Sequence, residues 1–192
     1  MARLLEALLE DHQNAERLLN ALEHQIRVFA EGEAPDYDIV VGAAEYFIGY
    51  PSLCHHPMED AIARRLLAAH PAEAAAIADL AGEHELVHKR ARHLRRTMRE
   101  LLGDTDIARE TVVEAARRFV TYERRHMQAE EQVFFPLADQ LLTPADWAAI
   151  EAELTEQSDP ISSAQCAASF QKQCEQLLVW EGEVEPAQGG VS

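Results

Sequence analysis

Apolar residues recur at helical spacing through most of the chain. Leu5, Leu8, Leu19, Leu22 and Ile26 form one stripe, which stops at "EGEAPDYD", where Gly32 and Pro35 break it. From Asp36, a candidate N-cap, a second stripe runs through Ile39, Val40, Ala43 and Phe47 to Ile62 and Leu66. Pro51 and Pro57 interrupt it, so the second helix is expected to kink or split there. A third stripe carries Ile77, Leu80, Ala81, Ala91, Leu94, Met98 and Leu101, with Pro71 at its start and Gly103 just past its end. The fourth runs through Val113, Ala116, Phe119 and Val120 to Phe134 and Leu137 and stops before "TPAD". Long helices on short loops become antiparallel neighbours, so residues 1–142 are expected to fold as an all-α, up-and-down antiparallel four-helix bundle. Thr143 as a cap with Pro144 at N1 opens a further helix, and "DPISSAQCAASFQKQCEQLLVW" reads as another. Residues 143–182 thus form a C-terminal helical extension, packed on the bundle or on a second subunit, and 183–192 are expected to be disordered.

Polar residues break these stripes in a selective way. His12 continues Leu5 and Leu8; His55 and Glu59 fall in line with Phe47 and Ile62; His84 and His88 lie between Leu80 and Ala91; His126 and Glu130 lie between Phe119 and Phe134. Five imidazoles and two carboxylates would then share one bundle interior, and each left dry and unpaired costs roughly 1–3 kcal/mol. Two divalent cations about 3.5–4 Å apart relieve that conflict, because imidazoles supply terminal donors and a carboxylate offers one oxygen to each ion. Helix three leaves two readings: both of its histidines as ligands, or His84 alone with His88 at the solvent rim. His56, Asp60 and Glu131 are expected beside the ligands or at the surface. His24, His70 and His93 are expected to meet solvent.

Charge narrows the partners. Lys and Arg number 17 against 34 Asp and Glu, a formal net charge of -17, which disfavours nucleic acid and anionic membranes and favours cations. From Thr143 onward the one base, Lys172, stands against nine acids. No apolar run approaches the roughly 20 residues of a membrane span, and acids interrupt the N-terminal "MARLLEALLEDH" where a signal peptide would be apolar. A cytoplasmic protein is expected. Cys54, Cys166 and Cys174 form no CxxC and are expected to be reduced thiols.

Taken together, "DH" at Asp11–His12, "HHPMED" from His55 to Asp60, "GEHELVH" ending at His88 and "HMQAEEQVFFP" from His126 resemble the hemerythrin-like HHE cation-binding family over about residues 1–142. The resemblance implies a four-helix bundle with a non-haem di-iron site whose metal ligands are His12, His55, Glu59, His84, His88, His126 and Glu130. Helix four departs from the oxygen-carrying members, which place an Asp five residues after the histidine. Here the fourth residue is Glu130 and the fifth Glu131, and either is open as the bridge. His56 adds a sixth imidazole, which either replaces a ligand or supports one. "LTPADWAAIEAELTEQSDP" also resembles the C-terminal extension of some bacterial members.

The expected function is therefore a di-iron protein that binds or senses oxygen, peroxide or nitric oxide, or takes part in iron and redox handling. Zinc or manganese accepts similar donors. The alternative is an oxidase or peroxidase acting on peroxide or ferrous iron at the same two ions, and a third reading is a structural bundle carrying zinc or no metal. A histidine-rich donor set favours reversible oxygen binding over oxidation, and a homodimer is compatible with the chain.

Overall fold

The computed structural model describes residues 1–77, 79–103, 107–157 and 160–182, with backbone alone at 76, 157, 160–167, 169, 180 and 181. Its helices are α1 (Arg3–Ala30), α2 (Tyr37–Tyr50), α3 (His56–Ala69), α4 (Leu80–Leu102), α5 (Arg109–Ala129), α6 (Phe135–Leu141), α7 (Pro144–Gln157) and α8 (Pro160–Glu181). No strand occurs among the described residues, and no helix is long and apolar enough to cross a membrane. The C-terminal ten residues, expected to be disordered, lie outside the described residues.

α1 contacts α2 and α5, and α4 contacts the same two, which closes a four-membered bundle. Asp36 caps α2 as expected, its side chain accepting from the backbone N–H groups of Asp38 and Ile39. The stripe expected as helix two is α2 and α3 joined by a π-helical turn, Pro51–His55. A second π turn, Glu130–Phe134, separates α5 from α6. In both, the residue after the turn donates to the carbonyl five residues back, His56 to Pro51 and Phe135 to Glu130. The next residue is proline, Pro57 or Pro136. A proline has no N–H for the usual four-residue bond, so the widened turn sits where that bond is lost.

Helix three begins later than its apolar pattern. A 3-10 turn, Glu73–Ile77, precedes α4, with Ala74 and Ile77 buried against the core near Leu66. Packing of that turn overrides the helix propensity of its alanines.

Two apolar clusters stack along the bundle. One holds Leu18, Leu22, Phe47, Ala91, Leu94 and Phe119, the other Leu5, Leu8, Ile62, Leu66, Leu80 and Phe134. α1 and α4 contribute to both, whereas α2 and α5 serve the first and their continuations, α3 and residues 134–138, serve the second. The polar interruptions of the stripes fall in the layer between them.

The extension packs back on the bundle. Thr143 caps α7, its hydroxyl accepting from the Asp146 N–H while Asp146 accepts from the Thr143 N–H and hydroxyl. Those bonds, with Arg65 beside them, hold the Asp146 carboxyl down at about 2. α8 lies on α1 and α2 and crosses α2 at two glycines. A Cβ at Gly42 would stand 2.5 Å from a Leu177 methyl, and one at Gly49 2.5 Å from the Phe170 ring. Gly49→Leu is therefore expected to lift α8 and cost about 1–3 kcal/mol by overpacking; a urea melt of the variant reads that loss, and an unchanged midpoint would mean that α8 does not dock through Gly49.

Candidate metal centre

The layer between the two apolar clusters is built by all four long stripes. His12 of α1 follows Leu8 by one turn, His55 ends the first π turn, and Glu59 lies one turn into α3. His84 sits in the first two turns of α4, His126 near the end of α5, and Glu130 opens the second π turn. All six are buried, with Glu59 at 0 % exposure.

Their inner atoms converge. Glu59 presents Oε1 to His55 Nε2 at 3.2 Å and Oε2 to His84 Nε2 at 3.2 Å. Glu130 presents Oε2 to His12 Nε2 at 3.5 Å, and Oε1 to His126 Nε2 at 3.2 Å and His84 Nε2 at 3.4 Å. The Nε2 atoms of His12 and His55 are 3.2 Å apart. Each carboxylate thus turns one oxygen toward the His12–His55 side and the other toward the His84 side. His56 joins the second side, its ring stacked on His84 at 3.9 Å with 4° between planes.

The outer nitrogens of the same four histidines face carboxylates. His12 Nδ1 is 2.9 Å from Glu131, His55 Nδ1 3.0 Å from Asp11, His84 Nδ1 3.3 Å from Asp60 and His126 Nδ1 3.4 Å from Glu83. Tyr50 donates in turn to Asp11 at 2.6 Å. At His12, His55 and His126 the acceptor keeps a proton on Nδ1, so that the neutral ring turns its Nε2 lone pair inward, while His84 Nδ1 is buried without a hydrogen bond.

These contacts divide the protonation of the cluster. Burial works against a charge on His55, but Glu59 and Asp11 outweigh it and lift the imidazole to about 10. Burial likewise opposes a charge on His84, and the Glu130 and Glu59 carboxylates against its Nε2 raise it to about 9. Burial, with His84 alongside, drives His56 down to about 2, and burial drives His126 down to about 3. Against the cost of burial, His55 and His84 hold Glu59 well below the usual carboxylate range, whereas burial and the neighbouring Glu59 push Glu130 well above it.

A profile of the hemerythrin HHE cation-binding domain matches residues 3–138. The chain belongs to that family. No significant match was found to a curated protein or to a solved structure. The hemerythrin-like bundle accounts for α1 to α6, and α7 and α8 lie beyond the matched residues.

The donors fit the cation that such a domain binds. Both Glu59 oxygens, Glu130 Oε2 and His126 Nε2 are buried without a hydrogen bond. Three groups of ligand atoms lie within 4.8 Å of one another: His12, His55 and Glu59; Glu59, His84 and Glu130; and His56, His84 and His126. Buried lone pairs of this kind are costly when dry, and a cation satisfies them together.

Of the residues expected as ligands, His12, His55, Glu59, His84, His126 and Glu130 come together. His88 does not join them. It sits half-buried at the rim of α4, its Nδ1 2.8 Å from the Ser52 hydroxyl. The imidazole found in the cluster instead is His56. Asp60 and Glu131 stand behind His84 and His12, and Glu16 pairs with Arg124 away from the layer. Asp11 and Glu83 gain their roles only through space, each being a neighbour in sequence of a histidine it does not itself contact. Two basic stretches, "ARHLRRTMRE" on α4 and "ERRH" on α5, pair with acids, Arg95 and Arg99 with Glu45 and Arg124 with Glu16 and Glu23.

Proposed function

We propose that the cluster holds two iron ions and that the protein binds or senses a small oxidant such as oxygen, peroxide or nitric oxide. The observation that carries this reading is the division of both carboxylates. Glu59 and Glu130 each face two separate imidazole sets with separate oxygens, as bridges between two cations require. In this proposal His12 and His55 serve one ion, His56, His84 and His126 serve the other, and Glu59 and Glu130 serve both. Iron held there would supply a reversible redox change and open coordination positions for a small ligand. The protein's own part is to hold the imidazoles by their Nδ1 carboxylates and to seal the centre between two apolar clusters, which keeps bulk water out.

The direct test is metal content of protein purified without oxygen, followed by its visible spectrum before and after air. Two irons per chain, with bands that appear in air and reverse under vacuum, support the proposal. Zinc or no metal, with a silent spectrum, overturns it. Sustained turnover of added peroxide by the iron-loaded protein would move the reading to the oxidising enzymes instead. His56→Ala is expected to lower metal affinity by at least tenfold, while His88→Ala leaves it within about twofold; the reverse order in a competition titration would return His88 to the ligand set.

A further inference from the structure

A cavity adjoins the cluster, lined among others by His12, His55, His126, Phe47, Met127 and Glu123. The space open to the centre of a water-sized sphere is about 20 Å³, more than the minimum for one water and room for a linear ligand of two or three atoms. Glu123 is the unexplained member of this wall. It lies on α5 one turn before His126, on the stripe of Phe119, Val120 and Met127, and is 4 % exposed. Its Oε2 is buried without a hydrogen bond. Of the other acids lining the cavity, Asp11 is held by Tyr50 and His55, and Glu130 belongs to the cluster. Glu123 stands outside the three groups of close donor atoms, so it is no member of the cluster itself.

Burial favours the neutral form of a carboxyl, and against the charge on nearby His55 it pushes Glu123 up to about 8. The neutral acid carries an O–H with no acceptor assigned to it by the fold. An apolar side chain would fill the same position without stranding a polar atom. The neighbours that could use the O–H are those that enter the cavity.

Resting on the metal-centre reading above, we propose that Glu123 is the positioning residue that donates a hydrogen bond to a small acceptor ligand of dioxygen, peroxide or azide size lodged in this cavity. The hydrogen bond fixes the ligand's orientation and adds to its affinity. Phe47 and Met127 offer no competing hydrogen bond, so the contact selects ligands with a free lone pair over apolar gases of equal size.

Azide is the probe, titrated into the full-length, iron-loaded, oxidised protein and followed by its visible absorption, with metal content measured on each variant. Glu123→Leu removes the donor, and Glu123→Gln keeps one. Both are expected to retain the wild-type metal content. Glu123→Leu should lose about five- to tenfold in azide affinity, the worth of one hydrogen bond, and Glu123→Gln should stay within about twofold of wild type. The metal-free Glu123→Leu protein should also melt above wild type, which confirms that the variant folds. Unchanged azide affinity in Glu123→Leu overturns the inference alone, as does loss of metal from either variant, which would make Glu123 a ligand. A wild-type protein that takes up no metal overturns the metal-centre reading and this inference with it.

Discussion

Replacing Glu59 by Ala is expected to strip the bundle of its metal pair. Glu59 is wholly buried, and its two oxygens face His55 on one side and His84 on the other. In the proposed centre its loss takes a donor from both ions at once, and Glu130 alone remains between them. Loss of an outer partner of a metal-binding histidine already costs about 10–100-fold in affinity, so removal of a shared carboxylate should exceed 100-fold. Metal content after dialysis reads the effect, and far-ultraviolet circular dichroism checks that the helices persist. Glu59→Gln, with nearly the same volume, separates lost ligation from lost packing: it should be as poor in metal as Glu59→Ala. Two ions retained in either variant would remove Glu59 from the centre and with it the bridged arrangement.

Metal loading is expected to raise the stability of the bundle, and more so as pH rises. A cation that binds the folded chain alone stabilises it by about 4 kcal/mol when free metal stands at 1,000 times its dissociation constant. For a chain of this length that is on the order of 10 °C in melting temperature. The pH dependence has a definite sign. Without metal, His55 and His84 titrate at about 10 and about 9, so both carry a proton at neutral pH that a cation must expel. For these two protons affinity therefore climbs by about two decades for each pH unit through neutrality, and a proton on Glu130, whose carboxyl burial and Glu59 push well above the usual range, steepens the rise. His56 and His126, held at about 2 and about 3, add nothing to the slope in that range. Competition titrations at several pH values, with calorimetric melts of loaded and chelated protein, measure both effects. A pH-independent affinity would mean that His55 and His84 are not displaced from their protons, and hence are not ligands.

Much of this was readable from residue order. Stripes of period 3.6 located the bundle, because a helix of this length must bury one face and its apolar residues record which. The same stripes exposed His12, His84, His126 and Glu130, since a polar residue in register with leucines is conspicuous without any structure. Glu123 carried that signal as well, between Val120 and Met127, though beside the HxxxE step its single carboxylate does not stand out. The π turns were less legible. Pro51, Pro57 and Pro136 mark where a helical bond fails, but a proline does not say whether the chain kinks, breaks or widens by one residue.

By itself, then, the sequence determined the all-α fold, its family and a short set of imidazoles and carboxylates on the inner stripes, because periodicity and residue chemistry are local properties of the chain. Only the tertiary structure decided between His56 and His88 as the imidazole that joins the cluster. Both lie within one turn of another inward-facing histidine, and helical spacing alone favours His88, four residues after His84. The widened turn at Pro51–His55 brings His55 and His56 inward together, while the rim of α4 leaves His88 to Ser52. The carboxylates behind each imidazole were equally beyond the sequence, since Asp11 meets His55 and Glu131 meets His12 only across the bundle. Contacts of that kind depend on how helices rotate and register against one another, and packing of side chains from all four sets that rotation.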